Sequence, residues 1–178
     1  MTGTLPTALV LASGRGERFL ASGGATHKLK TLLGGKAVLQ HVIDAVVASG
    51  LPYHVENAGH PGMGDSIAAA VRATPDGQGW LVLPGDLPLI QPSTLLMLAG
   101  KLARYDVVVP VYLGQRGHPV GFSRACKEQL MLLKGNQGAA LVLLSHHTME
   151  IPVDDVGTVT DVDTVDDLAR AEALLSAR

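Results

Sequence analysis

From Pro6 to Ala12 every residue but Thr7 is apolar. A run that short and continuous is the pattern of a strand covered on both faces in a parallel sheet. KAVLQHVIDAVVASG then places apolar residues at Val38, Leu39, Val42, Ile43, Val46 and Val47, with Gly50 as the expected stop. That is the 3.6-residue period of an amphipathic helix with a C-terminal glycine. GMGDSIAAAVRAT predicts a second helix, capped by Asp65 or Ser66. WLVLPGD predicts a buried strand ending abruptly at Pro84-Gly85-Asp86. The pattern continues with a helix from Ser93 to Arg104, a third strand in DVVVPVYL, helices over Ser123 to Leu133 and Gln137 to His146, and a short strand over Thr148 to Val153. Thr164-Val165-Asp166-Asp167 reads as a capping box opening the last helix, LARAEALLSA.

Strands alternating with helices predict an α/β fold: one Rossmann-like, doubly wound, mostly parallel sheet with helices on both faces. Such a sheet binds ligands at the carboxyl ends of its strands. Between Gly50 and Gly62 only LPYHVENAGHP remains, and PYHVE supplies one short strand there. No internal repeat or linker divides residues 1–178, so a single domain is expected.

Composition narrows the function. Aromatic residues are 3% of the 178, so Leu, Val and Ala must build the core. A net charge of −2, from 14 basic and 16 acidic residues, leaves no electrostatic footprint for nucleic acid and favours a small charged ligand. The lone Cys126, in SRACKEQL, excludes an internal disulfide and reads as a small buried hydrophobe. MTGTLP lacks the basic and apolar regions of a signal peptide, and no apolar run reaches membrane-spanning length, so a cytoplasmic protein is expected.

Three stretches carry candidate chemistry. LASGRGERF, directly after the first strand, is a glycine loop whose backbone N–H groups suit a phosphate chain. It is neither a dinucleotide fingerprint, since Phe19 stands where the third glycine belongs, nor part of a Walker A loop. Arg15 and Arg18 sit in it, and Lys28 follows the glycine-rich ASGGATH, which reads as a flexible segment closing over a polyphosphate. Asp86, in a turn fixed by Pro84 and Pro88, is placed to hold Mg²⁺, although Asp is also an ordinary turn residue. Asp161 and Asp163 flank Val162 after an expected strand, so alternation puts both carboxylates on one side. GQRGHPVGF is a polar loop bearing Arg116 and His118, while His60 in AGHPGMG reads as an exposed loop residue. No spacing of the seven histidines suggests zinc, and no nucleophile is evident.

Taken in order, LASGRGERF with Lys28, GMGDS, LPGDLP, GQRGHPVGF and DVDTVDDL resemble the MobA-like NTP transferases, and among them the molybdenum cofactor cytidylyltransferases. The resemblance spans Thr7 to Leu174, and Ala12-Ser13 looks more like the cytidylyl branch than the LAGG of the guanylyl branch. It implies a nucleotide-diphospho-sugar transferase fold and transfer of CMP from CTP to the molybdenum–molybdopterin cofactor, with release of pyrophosphate. Leu11, Ala12, Ser13, Gly14, Arg15 and Gly16 would cradle base and triphosphate, with Gly64, Ser66 and Gly85 on the nucleotide side. Arg18, Lys28 and Asp86 would be the catalytic residues. Asp86, Asp161 and Asp163 would hold Mg²⁺, or Mn²⁺ in its place. Arg116, Gly117 and His118 would face the acceptor. A monomer or weak dimer, serving a molybdenum hydroxylase or its chaperone, is implied. The segment 51–61 departs from the family by being short, lacking a helix–strand step. Two other functions stay open: an NTP transferase using GTP or another acceptor such as a sugar phosphate, and a non-catalytic carrier of the cofactor.

Overall fold

The computed structural model describes residues 5–178. β1 (Thr7–Leu11) leads into a short helix, α1 (Glu17–Ala21), a 3-10 turn at Lys28–Lys30, and a hairpin of β2 (Leu32–Leu33) and β3 (Lys36–Ala37). α2 (Val38–Ser49), β4 (Tyr53–Glu56), α3 (Met63–Ala73) and β5 (Gly79–Pro84) follow. Next come α4 (Pro92–Lys101), β6 (Val107–Tyr112), β7 (Gln115–Arg116) and β8 (Val120–Ser123). A 3-10 turn at Arg124–Cys126 opens α5 (Lys127–Met131), before α6 (Ala140–Ser145), β9 (Thr148–Pro152), a 3-10 turn at Val156–Val159, and α7 (Val165–Ser176).

The main sheet has seven strands in the order β4-β1-β5-β8-β6-β7, with β9 paired to β6. β4, β1 and β5 are parallel neighbours. β8 is antiparallel to both β5 and β6, and β9 is parallel to β6, so five strands share one direction. The mostly parallel sheet with helices on both faces is the fold expected from sequence.

Successive residues of β1 point to opposite faces, and both faces are covered, which explains why Ala8 to Leu11 are all apolar. Ala8 and Val10 pack with Val42 and Val46 of α2 and Leu95 and Leu98 of α4. Leu9 points the other way, into Ile67 and Val71 of α3, Leu130 and Val142. A third cluster, Phe19, Leu29, Leu33, Val38, Leu89, Val162 and Ala171, packs α7 against the segment that follows the glycine loop. Cys126 is fully buried, and burial pushes its thiol up to about 11, so it packs as a hydrophobe rather than reacts.

Several local expectations hold. α2 ends on Gly50 in the left-handed conformation, and α7 opens on the capping box. There Thr164 Oγ1 accepts from Asp167 N at 3.2 Å, and the Asp167 carboxylate accepts from Thr164 N at 2.9 Å.

Others are corrected. α3 is capped by neither Asp65 nor Ser66: Gly62 is the N-cap, the Asp65 carboxylate accepts from Gly135 N at 2.9 Å, and Ser66 Oγ donates to Gly62 O. Ser123 to Leu133 holds a strand end, a 3-10 turn and the five-residue α5, and α6 begins only at Ala140. VGFS is not loop but strand β8, threaded between β5 and β6. Gly121 makes that fit possible, because a Cβ there would meet Val108 Cγ2 at 2.5 Å. Asp161 follows a 3-10 turn, not a strand. Among the described residues no helix is long and apolar enough to cross a membrane.

Candidate functional site

The carboxyl ends of β4, β1 and β5 open into a cavity of about 770 Å³. β1 ends at Leu11 between its two neighbours, and both fasten the loop that follows. Gly85 N donates to Leu11 O at 2.9 Å. On the other side Glu56 O accepts from Ala12 N at 2.8 Å and from Ser13 Oγ at 3.1 Å. Gly16 turns the chain in the left-handed region (φ 67°), which favours glycine, and starts α1.

His27, which no sequence signal singled out, holds this loop from below. Its Nδ1 accepts from Leu29 N at 3.2 Å, so Nε2 carries the hydrogen and donates to Gly14 O at 2.6 Å. That contact ties the end of the 21–27 segment to the glycine loop. His27 caps the 3-10 turn that starts with Lys28, and the Lys28 side chain is only 12% exposed.

Lys28 is the centre of the charge arrangement. Its Nζ donates to Asp86 Oδ2 at 2.7 Å and to Asp163 Oδ1 at 2.6 Å, while Arg18 Nη1 reaches Asp163 Oδ2 at 2.6 Å. Burial alone would lower the Lys28 pKa, but the two carboxylates outweigh it and hold the ammonium above its usual range. Val162 N donates to Asp86 O at 2.9 Å, which pins the 161–163 strip to the strand-end turn. Asp161, by contrast, has its carboxyl pushed up, first by burial and then by the charges of Asp86 and Asp163.

His118 lies beside these carboxylates. Burial pushes its ring down against the pull of Asp86 and Asp161, which leaves it neutral. Its Nδ1 is buried and has no hydrogen-bond partner among the described residues. Gly117 sits against the 3-10 turn at Val156–Val159, where a Cβ would collide with the Thr158 carbonyl.

Most of the sequence-derived candidates meet in this one cavity. Leu11, Ser13, Gly14, Arg15, Gly16, Arg18, Lys28, Ser66, Gly85 and Asp86 line it, and so do Arg116, Gly117, His118, Asp161 and Asp163. Ala12 packs against the third core cluster instead, and Gly64 lets α3 approach the Lys134 carbonyl, which a Cβ would meet at 2.8 Å. Arg116 reaches the rim, where it is exposed and paired to Glu150 at 2.6 Å. His60, expected to be exposed, also lines the cavity, with its Nε2 3.1 Å from the buried Glu56 carboxylate.

Do these groups suit a divalent cation? Among the described residues no three His, Cys, Asp or Glu side chains form a ready-made metal cage. Asp86 and Asp163 present oxygen donors beside Asp161, whose carboxyl is pushed up by burial and, after that, by the charge of Asp86. Mg²⁺ and Mn²⁺ take oxygen ligands, and Mg²⁺ typically binds through one or two carboxylates together with substrate phosphates. The donor set fits a cation delivered with a nucleotide, once Lys28 yields its place.

A glycine loop on the first strand and acidic strand ends on a mostly parallel sheet define a nucleotide-diphospho-sugar transferase type of α/β domain. The chain belongs to the MobA-like NTP transferase domain family, which it matches over residues 46–149. The match contains Asp86 and His118, with Lys28 and Asp163 outside it. A bifunctional GlmU protein of Halorhodospira halophila is 30% identical, over 95% of this chain and 38% of its own length. The chain thus spans less than two fifths of that curated relative. Rv0371c of Mycobacterium tuberculosis is 26% identical and superposes with a TM-score of 0.79, over 97% of this chain and all of that one. A manganese complex of Rv0371c superposes with a TM-score of 0.73 at 24% identity, over 96% of this chain and 99% of that one.

Proposed function

We propose that this chain is a metal-dependent nucleotidyltransferase that moves CMP from CTP onto the terminal phosphate of the molybdenum–molybdopterin cofactor. The observation that carries the reading is Lys28 held between Asp86 and Asp163 under the glycine loop. It combines a cation for phosphates with carboxylates for a metal at one strand-end cleft. Family membership and the manganese complex of Rv0371c support the class of chemistry.

In this reading an acceptor phosphate oxygen attacks the α-phosphorus of CTP, the bond to the β-phosphate oxygen breaks, and pyrophosphate leaves. No protein nucleophile is required, so catalysis is positioning and charge stabilisation. The N–H groups of residues 13–16 and the loop geometry fixed by His27 orient the triphosphate. Lys28 and Arg18 offset charge on the departing pyrophosphate. Asp86 and Asp163 would hold Mg²⁺ or Mn²⁺, which supplies Lewis-acid neutralisation of the phosphate oxygens when bound. His118 and Gly117, which line the cavity, face the acceptor.

The test is pyrophosphate release from the purified protein with the molybdenum cofactor and each of the four NTPs in turn. Release with CTP and cofactor together is expected. Release with GTP instead, or only with a sugar phosphate, moves the chain to another branch of the family. No metal-dependent nucleotide binding by calorimetry would make it a carrier of the cofactor.

A further inference from the structure

At the sheet edge lies a cluster that the transfer chemistry does not use. Glu56 is the last residue of the edge strand β4, and its side chain is 9% exposed. Its carboxylate is fully engaged. Oε2 accepts from His54 Nε2 at 3.2 Å, while Oε1 accepts from His60 Nε2 at 3.1 Å and from Ala58 N at 3.2 Å. Its own carbonyl is the group that fastens Ala12 and Ser13. One residue therefore fixes both the glycine loop and the short 57–62 segment that turns directly into α3.

That engagement fixes the chemistry His60 presents. A carboxylate only accepts hydrogen bonds, so the hydrogen of neutral His60 resides on Nε2 and Nδ1 carries a lone pair. Nδ1 makes no hydrogen bond within the described protein, and the His60 ring lines the cavity. Pro61, Met63, Ser66 and Asn136, whose side chains are all uncharged, line the same cavity. The order of the sheet separates the cavity's functions. β4 and its wall lie on one side of β1, and the charged Asp86 ends β5 on the other. With phosphates drawn to Lys28, the side of the cavity beyond β1, where the one carboxylate is already engaged by His54, His60 and Ala58 N, is left for the base.

We propose that His60 is a nucleobase-reading residue whose Nδ1 accepts a hydrogen bond from the exocyclic amino group of a 4-aminopyrimidine, and that Glu56 is the positioning residue that sets its tautomer. The inference rests on the nucleotide-transfer reading and adds the group that distinguishes cytosine from uracil. Uracil offers a carbonyl oxygen at that position, and two acceptors facing each other leave both unpaired.

The experiment is calorimetric titration of the protein with CTP and with UTP, each with Mg²⁺. The wild type is expected to favour CTP by at least about tenfold, the effect of one unmade buried hydrogen bond. His60→Ala should lose the preference by weakening CTP while UTP affinity holds. Glu56→Gln is the sharper variant. Oε1 accepts from both Ala58 N and His60 Nε2, so the glutamine oxygen takes that place, the amide nitrogen turns to His54, and the His60 hydrogen stays on Nε2. The preference should therefore survive in Glu56→Gln but be lost in Glu56→Leu, which has no acceptor to hold the tautomer. His60→Gln provides a second check should either Glu56 variant fold poorly, and it should retain less than half of the wild-type preference. An unchanged CTP-to-UTP ratio in folded His60→Ala overturns the assignment while leaving nucleotide binding intact. Absence of binding by the wild type to any NTP overturns the transferase reading and this inference with it.

Discussion

Lys28→Met removes the ammonium between Asp86 and Asp163 while keeping the length and apolar stem of the side chain. Lys28, Asp86 and Asp163 have side chains 12%, 16% and 19% exposed, so their interaction is only partly screened. Two unit charges about 4 Å apart interact by ~4 kcal/mol at an effective dielectric near 20. A divalent ion at the carboxylates would feel at least that repulsion from the ammonium in the nucleotide-free protein. Even a third of it, ~1.4 kcal/mol, is a tenfold change in affinity. Lys28→Met should therefore bind Mn²⁺ without nucleotide at least about tenfold more tightly than the wild type, although it loses turnover. Freed of its partner, the carboxylate pair should also destabilise the metal-free fold by a few kcal/mol, and added Mn²⁺ should restore it. Electron paramagnetic resonance titration of free Mn²⁺, alongside thermal melts with and without the metal, measures both. Equal or weaker Mn²⁺ binding by Lys28→Met would refute the idea that Lys28 occupies the cation's place.

Asp86→Ala should reduce turnover by roughly a thousandfold or more, as expected for a lost metal-holding group, with an unchanged circular dichroism spectrum. His118→Ala should raise the acceptor's KM with little change in CTP affinity, whereas Arg116→Ala, whose partner is Glu150 at the rim, should change both by less than about threefold; steady-state titration of each substrate separates them. Glu56→Gln should cost about 1–3 kcal/mol at pH 7, by leaving buried donors poorly matched. Burial raises the Glu56 pKa, but the bonds from His54, His60 and Ala58 N lower it overall. The stability from its ionised form is thus present above the ordinary value of 4.5 and is lost as pH falls through the lowered one. Chemical denaturation at several pH values should show the gap between wild type and Glu56→Gln narrowing below 4.5.

The elements with strong periodicity were legible in the sequence for a physical reason: β1, β5 and α2 each bury a face or both, and burial writes itself into spacing. β8 was not legible, because VGFS is four residues long and contains Gly121, whose missing side chain matters only against Val108. The partner that makes it a strand lies elsewhere in the chain. The anchor of the glycine-rich segment before Lys28 was hidden in the same way, since it comes from His27 reaching back 13 residues to Gly14. Glu56 left a trace that could have been followed. His54 and Glu56 stand two apart on a strand, hence on one face, with His60 four residues further on. A carboxylate at a strand end flanked by two histidines is more than an edge residue.

Reversal of β8 explains why a loop between antiparallel strands contributes to a cleft built from parallel strand ends. Val120 pairs with Val82 and Ser123 with Gly79, so the start of β8 lies toward the carboxyl end of β5. Gly117 and His118 are delivered there by that direction. Gly117 N donates to Pro110 O and His118 N to Thr158 O, each at 2.9 Å, and the Gly117 Cα lies too close to the Thr158 carbonyl to carry a methyl. Gly117→Ala must therefore push the loop off the Val156–Val159 turn or break the His118 bond. Overpacking of this kind costs about 1–3 kcal/mol. The displacement carries His118 with it but reaches neither the glycine loop nor Lys28. Gly117→Ala should consequently lower the melting temperature and raise the acceptor's KM at least about fivefold, while CTP binding with Mg²⁺ stays within twofold of wild type. An acceptor KM unchanged in the folded variant would mean that this loop does not touch the acceptor, and a parallel loss of CTP affinity would place it on the nucleotide side.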